Sequence, residues 1–553
     1  MTSRTSADAM IDALEADGVD VVFGLPGAQT YPLFDSLARR RDQIRTVGAR
    51  HEQGSAFMAF GYARSTGRLG VCSVVPGPGL LNAGAAIATA LGACAPMLCL
   101  TGEVPSDFRG RGRGHLHELP DQLAFLRQIT KQAAHVDSPD GAEAATVAAI
   151  AAARSGRPGP VALSMCWDTL GQSLTAPDRA SSALPVTPTT AVPDARSVDA
   201  AAALLMSAKH PMIFTGSGAQ HASEEVRRLA ELLGAPVVGF RGGRGVVGDD
   251  HPLGMSIAAA WNLWPEVDLV LGVGSRMEVP FMRWQGMMSI TRRIEGRILV
   301  RVDIDPAEMD RLDTDGPVVA DAAVGATSLA DALSAAGHRP LPVPAEFASA
   351  KARAATEIRS VQPEMAYLDA IRAALPRDGF FVEELCQAGF TSYFGFDVYE
   401  PRTYVSCGFQ GTLGYGFPTA LGVKVAHPDR VVVSINGDGG FMFAMPELAT
   451  AVQERIGVVV VVFDNGGFGN VRRDQQTRFE GRLNGAELVN PDFVALAASF
   501  GVAARRVSTP ESFRSTLDWA IAKSADTSLP TLICVDTPQK TDVTPWRFIH
   551  PVG

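Results

Sequence analysis

Cysteine is scarce in this chain: seven in 553 residues, an odd number, with only Cys94 and Cys99 close together and no C-x-x-C pair. That argues against a disulfide framework and against a compact zinc or redox motif. A basic surplus is also missing, since 49 Lys plus Arg face 59 Asp plus Glu, for a net charge of −10. Nucleic-acid binders usually show the opposite balance. The start, Met1-Thr2-Ser3-Arg4, has no apolar run of the kind a signal peptide needs. Leu69 to Gly102 contains no charge, but Pro76, Pro78 and Pro96 and many Ala and Gly make it a poor membrane span. It reads instead as a buried strand–loop–helix–strand. No short tandem repeat is present. With 46% apolar and 20% charged residues, disorder is excluded too. The expectation is a cytoplasmic protein that binds neither nucleic acid nor membrane.

At roughly 150 residues per domain the length suggests about three or four domains. Two stretches read as linkers: 171–197, rich in Pro, Thr, Ala and Ser, and 337–351, which carries Pro340, Pro342 and Pro344. They separate domains expected at 1–170, 190–336 and 355–540. Each block alternates short β-rich runs with helical patterns, which predicts an α/β fold of three doubly wound parallel-sheet domains. Strands are expected at Val21–Phe23, Val71–Val75 and Met97–Leu100, then at Met212–Phe214, Leu269–Leu271 and Ile298–Val300. In the last block, Val431–Ile435 and Val458–Phe463 are apolar enough to be central strands covered on both faces.

The sharpest chemistry lies after those two central strands. The first runs into Asn436-Gly437-Asp438-Gly439-Gly440, with a helix expected to open at Pro446. The second runs into Asp464-Asn465-Gly466-Gly467. Right-handed crossover places both loops at the carboxyl ends of neighbouring parallel strands, where open α/β sheets bind ligands. Asp438 and Asn465 offer hard oxygen donors suited to Mg²⁺ or Ca²⁺. Gly437, Gly439 and Gly440 let backbone N–H groups approach a diphosphate. Two ordinary strand–helix loops are the plainer alternative.

This segment resembles the thiamine diphosphate enzymes, whose motif is Gly-Asp-Gly, a little over twenty residues, then Asn-Asn. Here 24 residues (440–463) separate Gly437-Asp438-Gly439 from Asp464-Asn465, with Asp464 a departure from the family pattern. The resemblance implies Mg²⁺ held by Asp438, Asn465 and the main-chain oxygen of Gly467. It makes the three blocks pyrimidine-binding, middle and diphosphate-binding domains. The segment from Gly408 to Pro418 resembles the family's aminopyrimidine cradle. There the Gly411 carbonyl would accept from the cofactor's 4′-amino group, and Leu413 would wedge the cofactor into a bent shape.

In the first block, apolar spacing at 56, 59, 60 and 63 predicts a helix starting near Glu52. Taken alone, Glu52 is a carboxylate at a helix N-terminus, which is common. The resemblance makes it the catalytic glutamate at the pyrimidine N1′. Gly24-Leu25-Pro26-Gly27-Ala28 is similar to the loop beside the reacting carbon, so Gly27 and Ala28 would meet substrate. Gly77-Pro78-Gly79-Leu80-Leu81-Asn82 is similar to a cofactor-proximal segment ending in Asn82. Leu116-His117-Glu118 stands where acetolactate synthases have Phe-Gln-Glu, and His117 would either donate protons or orient Glu118. Phe108 to Gly114, with its alternating Arg and Gly, reads as an active-site loop touching an anionic substrate.

Gly216-Ser217-Gly218 follows a strand in the middle block without continuing as G-x-G-x-x-G. Arg241-Gly242-Gly243-Arg244-Gly245 could approach a dinucleotide, and Val302 to Pro306 resembles a strand end of acetolactate synthase relatives. Those relatives hold FAD, another nucleotide or nothing in this block, and all three remain open here. The resemblance thus implies a thiamine diphosphate- and Mg²⁺-dependent enzyme, similar to acetolactate synthase, that decarboxylates a 2-oxo acid and joins the product to a carbonyl acceptor. Alternatives are a non-ligating decarboxylase or C–C lyase resembling benzaldehyde lyase, an FAD-dependent oxidase, or a catalytically silent nucleotide-binding scaffold. It also implies a homodimer or homotetramer with active sites at the subunit interface.

Overall fold

The computed structural model describes residues 4–175, 191–287, 289–539 and 543–551. Three six-stranded, wholly parallel sheets follow one another along the chain. The first contains β1 (Val21–Gly24), β2 (Arg45–Gly48), β3 (Gly70–Val74), β4 (Met97–Glu103), β5 (Gln132–Val136) and β6 (Pro160–Cys166), in the order β2-β1-β3-β4-β6-β5. The second contains β7 (Pro211–Thr215), β8 (Val237–Gly239), β9 (Gly254–Met255), β10 (Leu269–Val273), β11 (Ile298–Asp303) and β12 (Gly316–Val319), in the order β12-β11-β10-β7-β8-β9. The third contains β13 (Phe380–Val382), β14 (Tyr404–Val405), β15 (Val432–Gly437), β16 (Val459–Asp464), β17 (Ala503–Val507) and β18 (Thr531–Asp536), in the order β14-β13-β15-β16-β18-β17. The fold is α/β, as the alternation of runs predicts.

Strand order locates the functional ends. Sheets one and three share one topology, whose order reverses between β1 and β3 and between β13 and β15. The middle sheet reverses between β7 and β10. At each reversal the helices leave to opposite faces and open a crevice beyond the strand carboxyl ends. The central strands are fully buried, β4 and β6 at every position, because helices cover both faces.

The charge-free stretch 69–102 forms β3, the helix Pro78–Gly92 and β4. Among the described residues no helix is long and apolar enough to cross a membrane. Part of the first expected linker, 176–190, lies outside the described residues. In the second, the extended Pro-rich portion gives way at Pro344 to the helix Ala345–Ile358. The Ala-rich sequence there has high helix propensity and buries Phe347, Ala350 and Ala354, so that portion is an element and not a linker. The helix expected to open at Pro446 is likewise the second of two. Asp438–Ala444 is already helical, and Pro446 caps Glu447–Gln453. Gly439 and Gly440 have poor intrinsic propensity and hide that first helix from a sequence reading.

The outer blocks meet through two helices. Glu52–Thr66 packs on Gly416–Ala426 so closely that a Cβ at Gly422 would lie 1.9 Å from the Met58 carbonyl oxygen. The reciprocal contact is equally tight, since a Cβ at Gly61 would lie 2.1 Å from Thr419 O.

Candidate active site

Two groups of side chains gather at the crevices of the first and third sheets. In the third, β15 and β16 run in register with Gly437 beside Phe463, so Asp438 and Asp464 emerge side by side. This register is why the spacing between the two loops matters. Asp438 is 3% exposed; its Oδ1 accepts from Gly439 N at 2.9 Å and its Oδ2 from Gly467 N at 3.0 Å. Burial pushes the Asp438 carboxyl up from the usual range, the hydrogen bond from Asn490 pulls it down, and the charge on Asp464 adds to the rise.

Asn490 is a residue that no sequence signal marks. Its amide donates to Asp438 Oδ2 at 2.7 Å and to Asp464 Oδ1 at 2.8 Å, bridging the two carboxylates. Asp464, the departure from the expected Asn-Asn pair, is thereby held by Asn490 and by Gly466 N at 3.2 Å.

Asp438 lines a cavity of about 210 Å³ with Leu413, Gly437, Gly439, Gly440, Asn465 and Gly467. Asn465 Oδ1 is buried there without a hydrogen-bond partner among the described residues. A buried orphan oxygen beside a buried carboxylate is satisfied by a hard cation, and an all-oxygen set suits Mg²⁺. The donor chemistry therefore fits a magnesium diphosphate.

The segment with Gly411 and Leu413 is pinned by a residue that the sequence reading passed over. Glu384, wholly buried just past β13, accepts from Gly414 N at 3.0 Å on Oε1 and from Gly416 N at 2.8 Å on Oε2. Burial, reinforced by the neighbouring Glu383 charge, pushes its carboxyl up to about 8.

The second group lies at the β1/β3 crevice. Glu52 begins its helix as predicted, with His51 as N-cap. Asn82 Nδ2 donates to Glu52 Oε2 at 3.0 Å, joining two expected site residues. Gly27 and Ala28 form the turn before Thr30, whose hydroxyl donates to Gly27 O at 2.9 Å. His117 reaches this turn, with its Nδ1 2.9 Å from Gln29 Oε1, and feels the charge of Glu52. Burial holds the imidazole below its usual value, opposed by Glu52 and aided by His115. His117 makes no hydrogen bond to Glu118. That carboxylate instead accepts from Gly112 N at 3.0 Å and His115 N at 2.9 Å, tying down the Arg-Gly loop.

Among the described residues no hydrogen bond joins Glu52 to Asp438 or Asn465. One link between the two regions is Glu447, also unmarked by the sequence reading. It accepts from Arg50 N at 3.1 Å and His51 N at 3.0 Å, directly before Glu52.

A second, larger cavity of about 440 Å³ opens at the β7/β10 reversal. Gly216, Ser217, Gly218, Arg241, Gly242 and Gly274 line it. On its wall, the buried Arg64 faces Arg402, and burial together with that like charge lowers the guanidinium to about 10. Among the described residues no carboxylate pairs with it.

Comparison with known proteins agrees with this layout. Residues 4–125 match the N-terminal TPP-binding domain of thiamine pyrophosphate enzymes, 198–330 the central domain, and 386–535 the C-terminal TPP-binding domain. A probable 2-ketoarginine decarboxylase of Pseudomonas aeruginosa is 35% identical over 514 residues, covering 91% of this chain and 89% of its own. A probable acetolactate synthase large subunit of Methanocaldococcus jannaschii is 32% identical, covering 93% and 89%. Glyoxylate carboligase of Escherichia coli O157:H7 is 30% identical, covering 98% and 95%. Three parallel-sheet domains and full-length relatives of this kind lead to one conclusion: the chain belongs to the thiamine pyrophosphate enzyme family and is a thiamine diphosphate-dependent enzyme of its carboligase and lyase group, similar to acetolactate synthase.

Proposed function

We propose that the chain uses thiamine diphosphate and Mg²⁺ to decarboxylate a 2-oxo acid, and that protonation of the reacting carbon ends the cycle. When bound, the cofactor supplies a carbon nucleophile and the electron sink for carbon dioxide loss. Asp438, Asn465 and the Gly467 carbonyl hold the metal and, through it, the diphosphate. The Gly411 carbonyl and the Leu413 side chain orient the pyrimidine. Glu52 holds and returns a proton at pyrimidine N1′, with Asn82 donating to its Oε2. The substrate sits against Gly27 and Ala28, and His117 delivers its proton from the same side.

The observation that carries this reading is His117 beside the Gly27–Thr30 turn and within the field of Glu52. A titratable donor at the reacting carbon favours release of an aldehyde, the non-ligating alternative, over carboligation. The relative named as a 2-ketoarginine decarboxylase supports the same choice. Carboligation is the second reading, supported by the relatives named as acetolactate synthase and glyoxylate carboligase. Incubation with cofactor, Mg²⁺ and pyruvate, glyoxylate or 2-ketoarginine, followed by carbon dioxide measurement and product identification, tests both. An aldehyde supports decarboxylation, and a condensed product such as acetolactate supports carboligation. Absence of carbon dioxide from every 2-oxo acid tried would count against both.

Among the described residues no hydrogen bond or ion pair joins Glu52 to Asp438 within one chain, which supports active sites built between subunits of a dimer or tetramer. All seven cysteines are unpaired thiols, in keeping with a cytoplasmic setting. For the middle cavity, a buried arginine with no carboxylate partner among the described residues and a glycine-lined mouth at a topological switch point suit an anionic nucleotide such as FAD. A colourless preparation that releases no flavin on denaturation would remove FAD from the reading.

A further inference from the structure

Three non-glycine residues of the first block adopt left-handed backbone, Cys94 at φ 55° and, at the candidate site, Gln29 at φ 67° and His117 at φ 69°. Such conformations are strained for residues with side chains and persist where the surroundings enforce them. At the site each of the two main chains lies over a glycine. A Cβ at Gly102 would sit 2.1 Å from the Gln29 carbonyl oxygen, and one at Gly77 would sit 2.5 Å from that of His117. The two side chains meet each other at the end of these strained segments.

Gln29 is fully buried, and its Nε2 donates to the Leu116 carbonyl at 2.9 Å. A carbonyl oxygen only accepts, so the amide cannot be turned around without setting two oxygens against each other. The amide oxygen therefore faces His117 Nδ1 at 2.9 Å, and Nδ1 must carry the hydrogen. The proton that comes and goes is then confined to Nε2. Because Nδ1–H donates to Gln29 in both the neutral and charged states, the contact survives a full acid–base cycle.

We propose that Gln29 is a positioning residue that fixes the tautomer and ring orientation of His117, leaving Nε2 as the sole proton-transfer atom toward the substrate. This rests on the assignment of His117 to proton delivery and adds to it the device that makes delivery directional. The charged groups acting on the imidazole are Glu52 and His115, on separate segments.

The test is a mutant cycle on the holoenzyme with Gln29→Leu, His117→Ala and the double variant, followed by carbon dioxide release. Cofactor uptake is measured by calorimetry to show that each variant folds. Gln29→Leu is expected to lower kcat about 10²-fold with KM little changed, and to cost nothing further in the His117→Ala background. Gln29→Glu keeps an acceptor for Nδ1 and adds a negative charge, while its second oxygen loses the hydrogen bond to the Leu116 carbonyl. It should retain more turnover than Gln29→Leu and raise the imidazole pKa in the kcat/KM profile by about 1–3 units. If His117→Ala leaves turnover intact, the assignment of His117 is wrong. If His117→Ala is impaired while Gln29→Leu is unimpaired or the two losses multiply, or if Gln29→Glu leaves the profile unmoved, the positioning role is wrong. Should Gln29→Leu fail to fold, the Gln29→Glu profile decides alone.

Discussion

Single carboxylates carry most of what is testable at the residue scale. Glu52→Ala is expected to lower turnover about 10²- to 10⁴-fold while calorimetric cofactor uptake survives, because Glu52 moves a proton and does not hold the diphosphate. Asp438→Ala should do the reverse first, abolishing magnesium-dependent uptake. Glu384 predicts a pH effect on stability. Its folded carboxyl is raised to about 8, so the native state holds a proton that the unfolded chain has released. Stability from this group is complete below about pH 4.5 and is lost as pH rises toward 8. The melting temperature of the cofactor-free protein should therefore fall across that window, and Glu384→Gln should flatten the slope. Glu384, Asn490 and Gln29 were not legible in the sequence. Each works through backbone groups or carboxylates distant along the chain, a relation that no local spacing encodes.

Elements place those residues. The helix Glu52–Thr66 was legible because its apolar spacing and N-terminal acid are local features. Its docking was not, because that depends on Gly61 and Gly422 meeting backbone across the interface. Gly422→Ala should destabilise by about 1–3 kcal/mol, read as a shift in denaturant midpoint, since the new methyl overlaps the Met58 carbonyl. Glu447, which opens the helix after Asp438–Ala444, holds the N-terminus of the same Glu52 helix. Thr450 Oγ1 donates to its Oε2 at 2.6 Å while the N–H groups of Arg50 and His51 donate to Oε1. Glu447→Ala would strand those donors at a cost of about 1–3 kcal/mol. It should also lower kcat more than it weakens cofactor uptake, because the helix it releases begins with the proposed catalytic acid.

The whole molecule repeats one solution three times, a parallel sheet whose strand order reverses over a crevice. If Glu52 of one subunit serves the Asp438 site of another, two dead variants should rescue each other. Mixing Glu52→Ala with Asp438→Ala under conditions that reassort subunits should restore about a quarter of wild-type activity. Half the dimers are then mixed, and each mixed dimer holds one intact site. No recovery after verified reassortment would place each site within a single chain.

The sequence alone determined the layer architecture, the strand cores, the helix at Glu52 and the pairing of the Asp438 and Asn465 loops. All of these follow from hydrophobic period, glycine placement and the short-range spacing of oxygen donors. Tertiary structure alone decided that Asn490 bridges two carboxylates, that Glu384 pins the Leu413 segment and that Gln29 holds His117. Those contacts join residues between 26 and 88 positions apart, and only the packed sheets set their distances. Hydrogen bonding acts over about 3 Å of space without regard to separation along the chain.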